Sequence, residues 1–423
     1  MLREELVKQL ENHQFDDVFA MLSGKAKVSD QCNRYLHLID EASKLFDNQD
    51  MHLFSAPGRT EIGGNHTDHQ KGRVLAGSVN VDIAACVVMD EEVIEFVSEG
   101  FHINPVKVSE LNVVESEYNT SESLIRGTLA RFKELGYNIG GFKCYSNSEV
   151  LKGSGISSSA AFEVLIGTIL SHLYNDNKVS SVEIAQIGQY AENVFFNKPC
   201  GLMDQMACSV GGLVTIDFKD TAHPIVEQIE VDFEDYGYHL VLVDTKGSHA
   251  DLSDEYGVMP QEMKEVARAL GKEVLSETSI DELYAHMDVV KEKCHHRAIL
   301  RAIHFFNETD RVVDEVNALK EKDIEAFKQL MIESGYSSYM YLQNIYSPKN
   351  PLEQNISIGL ALSEQLLKGK GAYRVHGGGL AGTIQAIVPD ALLDTYCKRL
   401  QSFFGDDACY VLKIRPVGGY KIV

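Results

Sequence analysis

Lys152-Gly153-Ser154-Gly155-Ile156-Ser157-Ser158-Ser159-Ala160-Ala161 runs without a break into FEVLIGTILSHLY, residues 162 to 174. Glycines let the backbone curl so that successive amide N–H groups point inward, and the start of an apolar helix adds its positive end. Gly153, Ser154, Gly155, Ile156, Ser157, Ser158 and Ser159 therefore form a candidate phosphate-binding loop, with hydroxyls for phosphate oxygens or Mg²⁺. The plainer alternative is a serine-capped helix after a flexible loop. The chain contains no G-x-x-x-x-G-K-[ST], so this is not a Walker loop. A strand-like GFKCYSNSEV (141–150) precedes the loop.

Working outward, MHLFSAPG from Met51 reads as a strand ending in a Pro-Gly turn. The β-rich runs between Arg73 and Val97 are consistent with a meander. Residues 2–22 and 31–47 read as helices, with Leu36, Ile39 and Leu45 at helical spacing. SLIRGTLARFKELG reads as a helix stopped by Gly136, and SSVEIAQIGQYAENVFF as another. GGLVTIDF and YHLVLVDT are strand-like. A mostly helical stretch follows to about Lys368, including one long run around VVDEVNALKEKDIEAFKQLMIESG. Two strand-like pieces, YRVHGGGLAGTIQAIVP and CYVLKIRPVGG, close the chain around a helix, DALLDTYCKRLQSFFG. The expectation is an α+β chain in two packed lobes, with a soft boundary between Asp217 and His239.

With 423 residues, 44% hydrophobic and 24% charged, this is the composition of a globular chain. Its formal charge of −23 argues against nucleic acid and anionic membrane as partners. No apolar run spans a bilayer and MLREELVKQL lacks a signal-peptide core, so a cytoplasmic location is expected. The eight cysteines are scattered without a C-x-x-C and read as reduced thiols. Cys294-His295-His296 could suggest metal, but KEKCHHRAILRAIHFF reads as amphipathic helix, which points adjacent residues apart. Gly377, Gly379 and Gly382 spell a formal G-x-G-x-x-G. The strand-like TIQAIV after it, and the 41 residues that remain, discount a dinucleotide fold.

Two further segments are dense in chemistry. Gly58-Arg59 is followed by Gly63-Gly64-Asn65-His66-Thr67-Asp68-His69, a glycine-bounded set of donors and acceptors suited to a polyol. His66-x-Asp68-His69 also resembles part of a binuclear hydrolase motif, but Gly64 stands where the first histidine would be. A solvated polar turn is the third reading. In KPCGLMDQ (198–205), Asp204 is either a helix N-cap or a poised base.

Taken together these segments resemble the GHMP small-molecule kinases, and within them the galactokinases. APGRTEIGGNHTDHQKGRVL (56–75) is similar to the signature A-P-G-R-x-N-[LI]-I-G-E-H-x-D-Y, and LKGSGISSSAA (151–161) to P-x-G-x-G-L-S-S-S-A-A. KPCGLMDQ resembles P-C-G-I-M-D-Q, VHGGGLAGT (375–383) the C-terminal glycine motif, and His249-Ala250-Asp251-Leu252-Ser253-Asp254-Glu255-Tyr256 the stretch H-S-L-A-S-S-E-Y. The five occur in the family's order. The resemblance implies a ribosomal-protein-like N-terminal lobe (35–222), a ferredoxin-like C-terminal lobe (223–423) and a helical N-terminal extension (1–34). It implies an ATP- and Mg²⁺-dependent sugar 1-kinase, with galactose the favoured substrate; the sequence does not determine the oligomeric state, and a monomer is favoured. Asp204 matches the base that takes the anomeric proton and Arg59 the arginine that steadies it. Ser158, Ser159 and Glu192 match the Mg²⁺ positions, and Asn65, His66, Asp68, Gly201 and Tyr256 the sugar contacts.

The departures leave the base, the arginine and the phosphate loop in place, and those on the sugar side bear on which sugar is used. Asn65 replaces a glutamate, Glu61 an asparagine and His69 a tyrosine, while Lys152, His376 and Ala381 replace Pro, Thr and Gly. A kinase for an amino sugar, pentose or uronic acid, or a non-catalytic sugar and ATP sensor, is therefore the alternative.

Overall fold

The computed structural model describes residues 1–46, 50–150, 155–247 and 252–423. Three helices open the chain: α1 (Arg3–Glu11), α2 (Asp16–Ser23) and α3 (Val28–Leu45). The helix expected over 2–22 breaks between α1 and α2, where His13 adopts φ 61°. Leu6, Leu10, Phe19, Tyr35, Leu38, Ile39 and Ala42 make one apolar stripe, buried to 2% exposure or less.

A mixed sheet follows, from β1 (Met51–Gly63), β2 (Arg73–Asp90), β3 (Val93–Ser98), β4 (Phe101–His102) and β5 (Val106–Lys107). Then come α4 (Ser121–Glu134), β6 (Gly141–Ser148), α5 (Ser158–Tyr174), α6 (Ser181–Tyr190), α7 (Met203–Val210), β7 (Leu213–Asp217) and β8 (Ile225–Ile229). The main path is β4-β3-β6-β2-β1, with β7 on the first half of β2 and β8 on β7. β2 reads as a nearly continuous apolar run because both faces are covered. Ala84, Cys86 and Val88 pack under the N-terminal helices, and Ile83, Ala85 and Val87 join the cluster containing Leu165, Ile166 and Ile169 of α5. The expected meander is corrected here: β3 lies parallel to β6. It lies on β6, not on β2, so the short link after β2 is not a hairpin.

The remainder of the chain is β9 (Tyr238–Asp244), α8 (Ser253–Ala269), α9 (Ile280–Ala285), α10 (Met287–Lys293), α11 (His296–Lys320), α12 (Ile324–Ser337), α13 (Asn355–Leu367), β10 (Ala372–Val375), β11 (Thr383–Pro389), α14 (Leu393–Phe404), β12 (Cys409–Leu412) and β13 (Tyr420–Lys421). β10-β11-β9-β12 form an antiparallel sheet whose strand–helix–strand–strand–helix–strand order is ferredoxin-like. The long helical run divides at Lys320–Asp323, where Lys322 has φ 61° and Asp323 caps α12 by accepting from the Ala326 amide at 2.9 Å. The helix expected through Cys294-His295-His296 also breaks: α11 starts at His296, and the His295 ring accepts from the Ala298 amide as its cap. Among the described residues no group of three His, Cys, Asp or Glu is placed to hold a metal ion. The division at 34/35 and 222/223 is kept as a proposal. α3 runs across the first boundary, and β8 and β13 bring strands from beyond the second into the first sheet.

Candidate active site

β1 does not end at Pro57-Gly58 as expected. It continues to Gly63 with register shifts between Pro57 and Arg59 and between Glu61 and Gly63. The reason is a close approach: a Cβ on Gly58 would lie 2.3 Å from Ile156 Cγ2, and the Arg59 amide donates to the Ile156 carbonyl at 2.9 Å. The bulge thereby fixes the strand to the loop before α5 and aims Arg59 along it.

Arg59 grips Asp204 with two bonds, Nε to Oδ1 and Nη2 to Oδ2, both 2.8 Å. Its Nη1 donates to the Gly155 carbonyl, and the Ser157 hydroxyl donates to Asp204 Oδ2 at 2.8 Å. Asp204 lies inside the first turn of α7, whose cap position is Leu202. Its oxygens face the guanidinium, not the helix's own amides. Burial opposes its ionisation, but Arg59 beside it and the Ser157 bond hold its carboxyl below the ordinary range.

Gly153 and Ser154 lie outside the described residues. Gly155 has φ +75°, and its missing Cβ would stand 2.6 Å from Thr383 Oγ1 and 3.2 Å from His376 Nδ1. Ser157 holds a left-handed φ of 59° immediately before α5, a conformation that costs an L-residue about 1–2 kcal/mol. Ser158 and Ser159 open α5 at the mouth of a cavity of about 520 Å³, lined by Phe96, Phe101, Phe162 and Phe196 with Ser98 and Asn147. Sequence reasoning missed these four rings. Phe162 alone carried a local signal, one turn after Ser158; the others come from β3, β4 and the segment after α6.

Glu192 sits in a π-helical turn (Ala191–Phe195) that extends α6, the kind of irregularity that often marks a site. Its Oε1 accepts from Ser159 Oγ at 3.2 Å and Lys198 Nζ at 2.9 Å, and its Oε2 from Gln205 Nε2 at 2.8 Å.

On the other side of Asp204, Asp68 packs against Gly201, where a Cβ would be 1.7 Å from Asp68 Oδ2. Burial, with Asp204 close by, pushes the Asp68 carboxyl up to about 6. His66, at φ 58°, donates Nε2–H to the Gly378 carbonyl at 3.0 Å, and burial depresses its ring to about 4. Tyr256 donates to the Gly379 carbonyl at 2.8 Å; His249, Ala250 and Asp251 of its motif lie outside the described residues.

Asn65 is placed differently from expectation. It is fully buried, and Nδ2 donates to Glu61 Oε1 at 2.9 Å and to the Gly377 carbonyl at 2.7 Å. Its Oδ1 accepts from Asn344 Nδ2 at 2.9 Å and Ser338 Oγ at 3.3 Å. Two donors and two lone pairs are the whole capacity of an amide, so none is left for a sugar hydroxyl. Glu61, also missed, pairs with the fully buried Arg374 at 2.5 Å, and its backbone N–H donates to His376 Nε2 at 3.1 Å. The carboxylate and amide of the signature have changed places in this chain, where they bond each other.

Comparison with known proteins matches residues 43–88 to the galactokinase galactose-binding signature and residues 123–212 to the GHMP kinase N-terminal domain. The chain is 31% identical to a galactokinase of Thermotoga maritima over 363 residues, 84% of this chain and 95% of that one. It is 30% identical to the galactokinase of Thermotoga neapolitana over 351 residues, 83% and 93% of the two chains. Among solved structures, the Lactococcus lactis galactokinase complexed with galactose superposes with a TM-score of 0.78 at 22% identity, covering 90% of this chain and 98% of that chain. Mevalonate kinase from Methanococcus jannaschii superposes at 0.59 with 15% identity, covering 86% and 98%.

Proposed function

The chain belongs to the galactokinase family of GHMP sugar kinases, and from that premise we propose that it moves the γ-phosphoryl group of ATP directly to the anomeric hydroxyl of a free sugar, galactose first among candidates. The observation that carries this reading is the Asp204–Arg59–Ser157 cluster. It is tied to the phosphate loop through Gly155 and Ser157, and it lies three residues from the Gly201–Asp68 contact.

Asp204, ionised at neutral pH, takes the anomeric proton. Arg59 keeps that carboxylate anionic and oriented while charge builds on the transferred group, and direct transfer demands little beyond such alignment. Gly155 and the start of α5 receive the phosphates, and the phenylalanine-lined cavity beside Ser158 accepts the nucleoside. Asp68 and His66 orient the sugar ring against Gly201, with Tyr256 holding the Gly377–Gly379 turn over it. Asn65 clasps that turn from beneath and does not touch the sugar.

The donor set of Ser159, Ser158 and Glu192, hydroxyls and one carboxylate, suits Mg²⁺, which prefers oxygen ligands and keeps waters and phosphate oxygens in its shell. A Mg²⁺ ion there would neutralise charge on the β- and γ-phosphates. The residues themselves arrange for this: Lys198 and Ser159 converge on Glu192 Oε1, and Gln205 fixes Oε2. No helix among the described residues is long and apolar enough to cross a membrane; a cytoplasmic monomer remains part of the proposal.

ADP release measured against galactose, galactosamine, arabinose and galacturonic acid tests the reading. Sugar-dependent turnover with galactose fastest is expected. No sugar-stimulated ADP release would overturn it.

A further inference from the structure

Glu163 lies one helical turn beyond Ser159 on α5, is 1% exposed, and takes no part in the transfer described above. Its Oε2 accepts from Gln205 Nε2 at 3.0 Å, and the same nitrogen donates to Glu192 Oε2 at 2.8 Å. A longer contact of 3.8 Å joins that nitrogen to Cys200 Sγ. One amide group, on the residue after Asp204, therefore bridges two buried carboxyls. Glu163 Oε1 and Gln205 Oε1 are buried and meet no partner among the described residues. A buried glutamate left half-satisfied costs stability. Among the described residues, its bond to Gln205 is the hydrogen bond that holds it.

The bridge has a geometric consequence. Glu192 Oε2 is occupied by Gln205, which leaves Oε1 turned toward Ser159 and Lys198. Without Glu163 the Gln205 side chain would lose one of its two carboxyl anchors, and Glu192, still held at Oε1 by Lys198 and Ser159, would lose the fixed partner that orients Oε2. Such outer contacts to a metal-binding carboxylate typically matter 10- to 100-fold in metal affinity.

We propose that Glu163 is a positioning residue that, through the Gln205 amide, aims Glu192 at the divalent cation accompanying the nucleotide. This rests on the assignment of Glu192 to that cation. The probe is Mn²⁺ bound in the presence of ADP, followed by electron paramagnetic resonance on the full chain, with metal-free ADP binding measured by calorimetry in EDTA. Glu163→Ala is expected to weaken Mn²⁺ about 10-fold while metal-free ADP affinity stays unchanged. Glu163→Gln, whose amide oxygen accepts from Gln205 as the carboxyl does, is expected to restore near wild-type affinity. Gln205→Met, which keeps volume and removes the bridge, should behave like Glu163→Ala and serves if that variant does not fold. Glu192→Gln checks the underlying assignment. If Glu192→Gln weakens Mn²⁺ but Glu163→Ala and Gln205→Met do not, the positioning role is overturned and the cation site stands. If none of the variants weakens Mn²⁺, the cation assignment falls and the inference with it. Equal losses in Glu163→Ala and Glu163→Gln would overturn the hydrogen-bond relay.

Discussion

Replacing Asp204 by Asn separates chemistry from binding. Both oxygens of Asp204 are engaged, Oδ1 by Arg59 Nε and Oδ2 by Arg59 Nη2 and Ser157 Oγ, each at 2.8 Å. An amide offers one acceptor, so one guanidinium N–H must face an NH₂ group however the side chain turns. Ser157 can adapt by rotating its hydroxyl to accept. Arg59 is 7% exposed, whereas the Asp204 side chain is 31% exposed and reached by solvent. The loss of stability is therefore set at about 1–3 kcal/mol, the cost of an unsatisfied partner, below the roughly 3–5 kcal/mol of a wholly buried broken pair. General-base catalysis contributes about 10² to 10⁴ in rate, so kcat should fall at least 100-fold. The assay is coupled ADP release at saturating sugar and ATP, with calorimetric titration of sugar and nucleotide and a thermal melt. Binding of both ligands should persist with a melting point a few degrees lower. A kcat close to wild type would refute the base assignment; loss of binding together with turnover would make Asp204 a structural anchor for Arg59.

Gly155→Val puts a branched side chain at φ +75°, 2.6 Å from Thr383 Oγ1; nucleotide affinity in calorimetry should drop roughly 10-fold or more, given a left-handed cost of about 1–2 kcal/mol, and an unchanged affinity would count against the loop. Gly201→Ala drives a methyl into Asp68 Oδ2 and should raise sugar KM while leaving metal-free ADP binding intact. Asp68 titrates near 6 in the folded chain, above its ordinary 3.8. A raised carboxyl is protonated as pH falls from 7 to 5, and its ionisation costs folding stability as pH rises from about 4 to 6. Neutral Asp68 accepts hydroxyls less well, so sugar KM should climb on acidification, and Asp68→Asn should flatten that profile; a flat wild-type profile would remove Asp68 from the sugar site. Asn65→Glu alone would replace the amide that bonds Glu61 at 2.9 Å by a second carboxyl in a buried cluster and should lower the melting point by several degrees. Asn65→Glu with Glu61→Asn restores the family's order and should recover at least half of that loss, a coupling that independent sites would not show.

What the sequence disclosed was local. The helix after the glycine-serine loop and part of the apolar face of α3 follow from periodicity and glycine placement, although Leu45, at helical spacing, is exposed; the ferredoxin-like lobe follows from the family resemblance alone, and the residues later found around Asp204 stood in recognisable motifs. What it concealed depends on approach between distant segments. The Pro57-Gly58 pair looks like a turn because its composition is that of a turn, yet contact with Ile156, nearly a hundred residues on, keeps it in a bulged strand. β3 has the composition of a meander strand, and nothing in its six residues records that it lies parallel to β6. Asn65 is the sharpest case. Its type and position in the signature point to a sugar hydroxyl, and only its partners decide otherwise: Ser338, Asn344 and Gly377 reach it from 273 to 312 residues away. Glu61, read as one more departure from the signature, completes the exchange by taking the charge of Arg374. Two substitutions that each look damaging to sugar recognition thus meet in one buried carboxylate–amide contact. In the proposed reading the sugar is left to Asp68 and His66, unchanged from the signature, and to Gly201, unchanged from the P-C-G-I-M-D-Q segment.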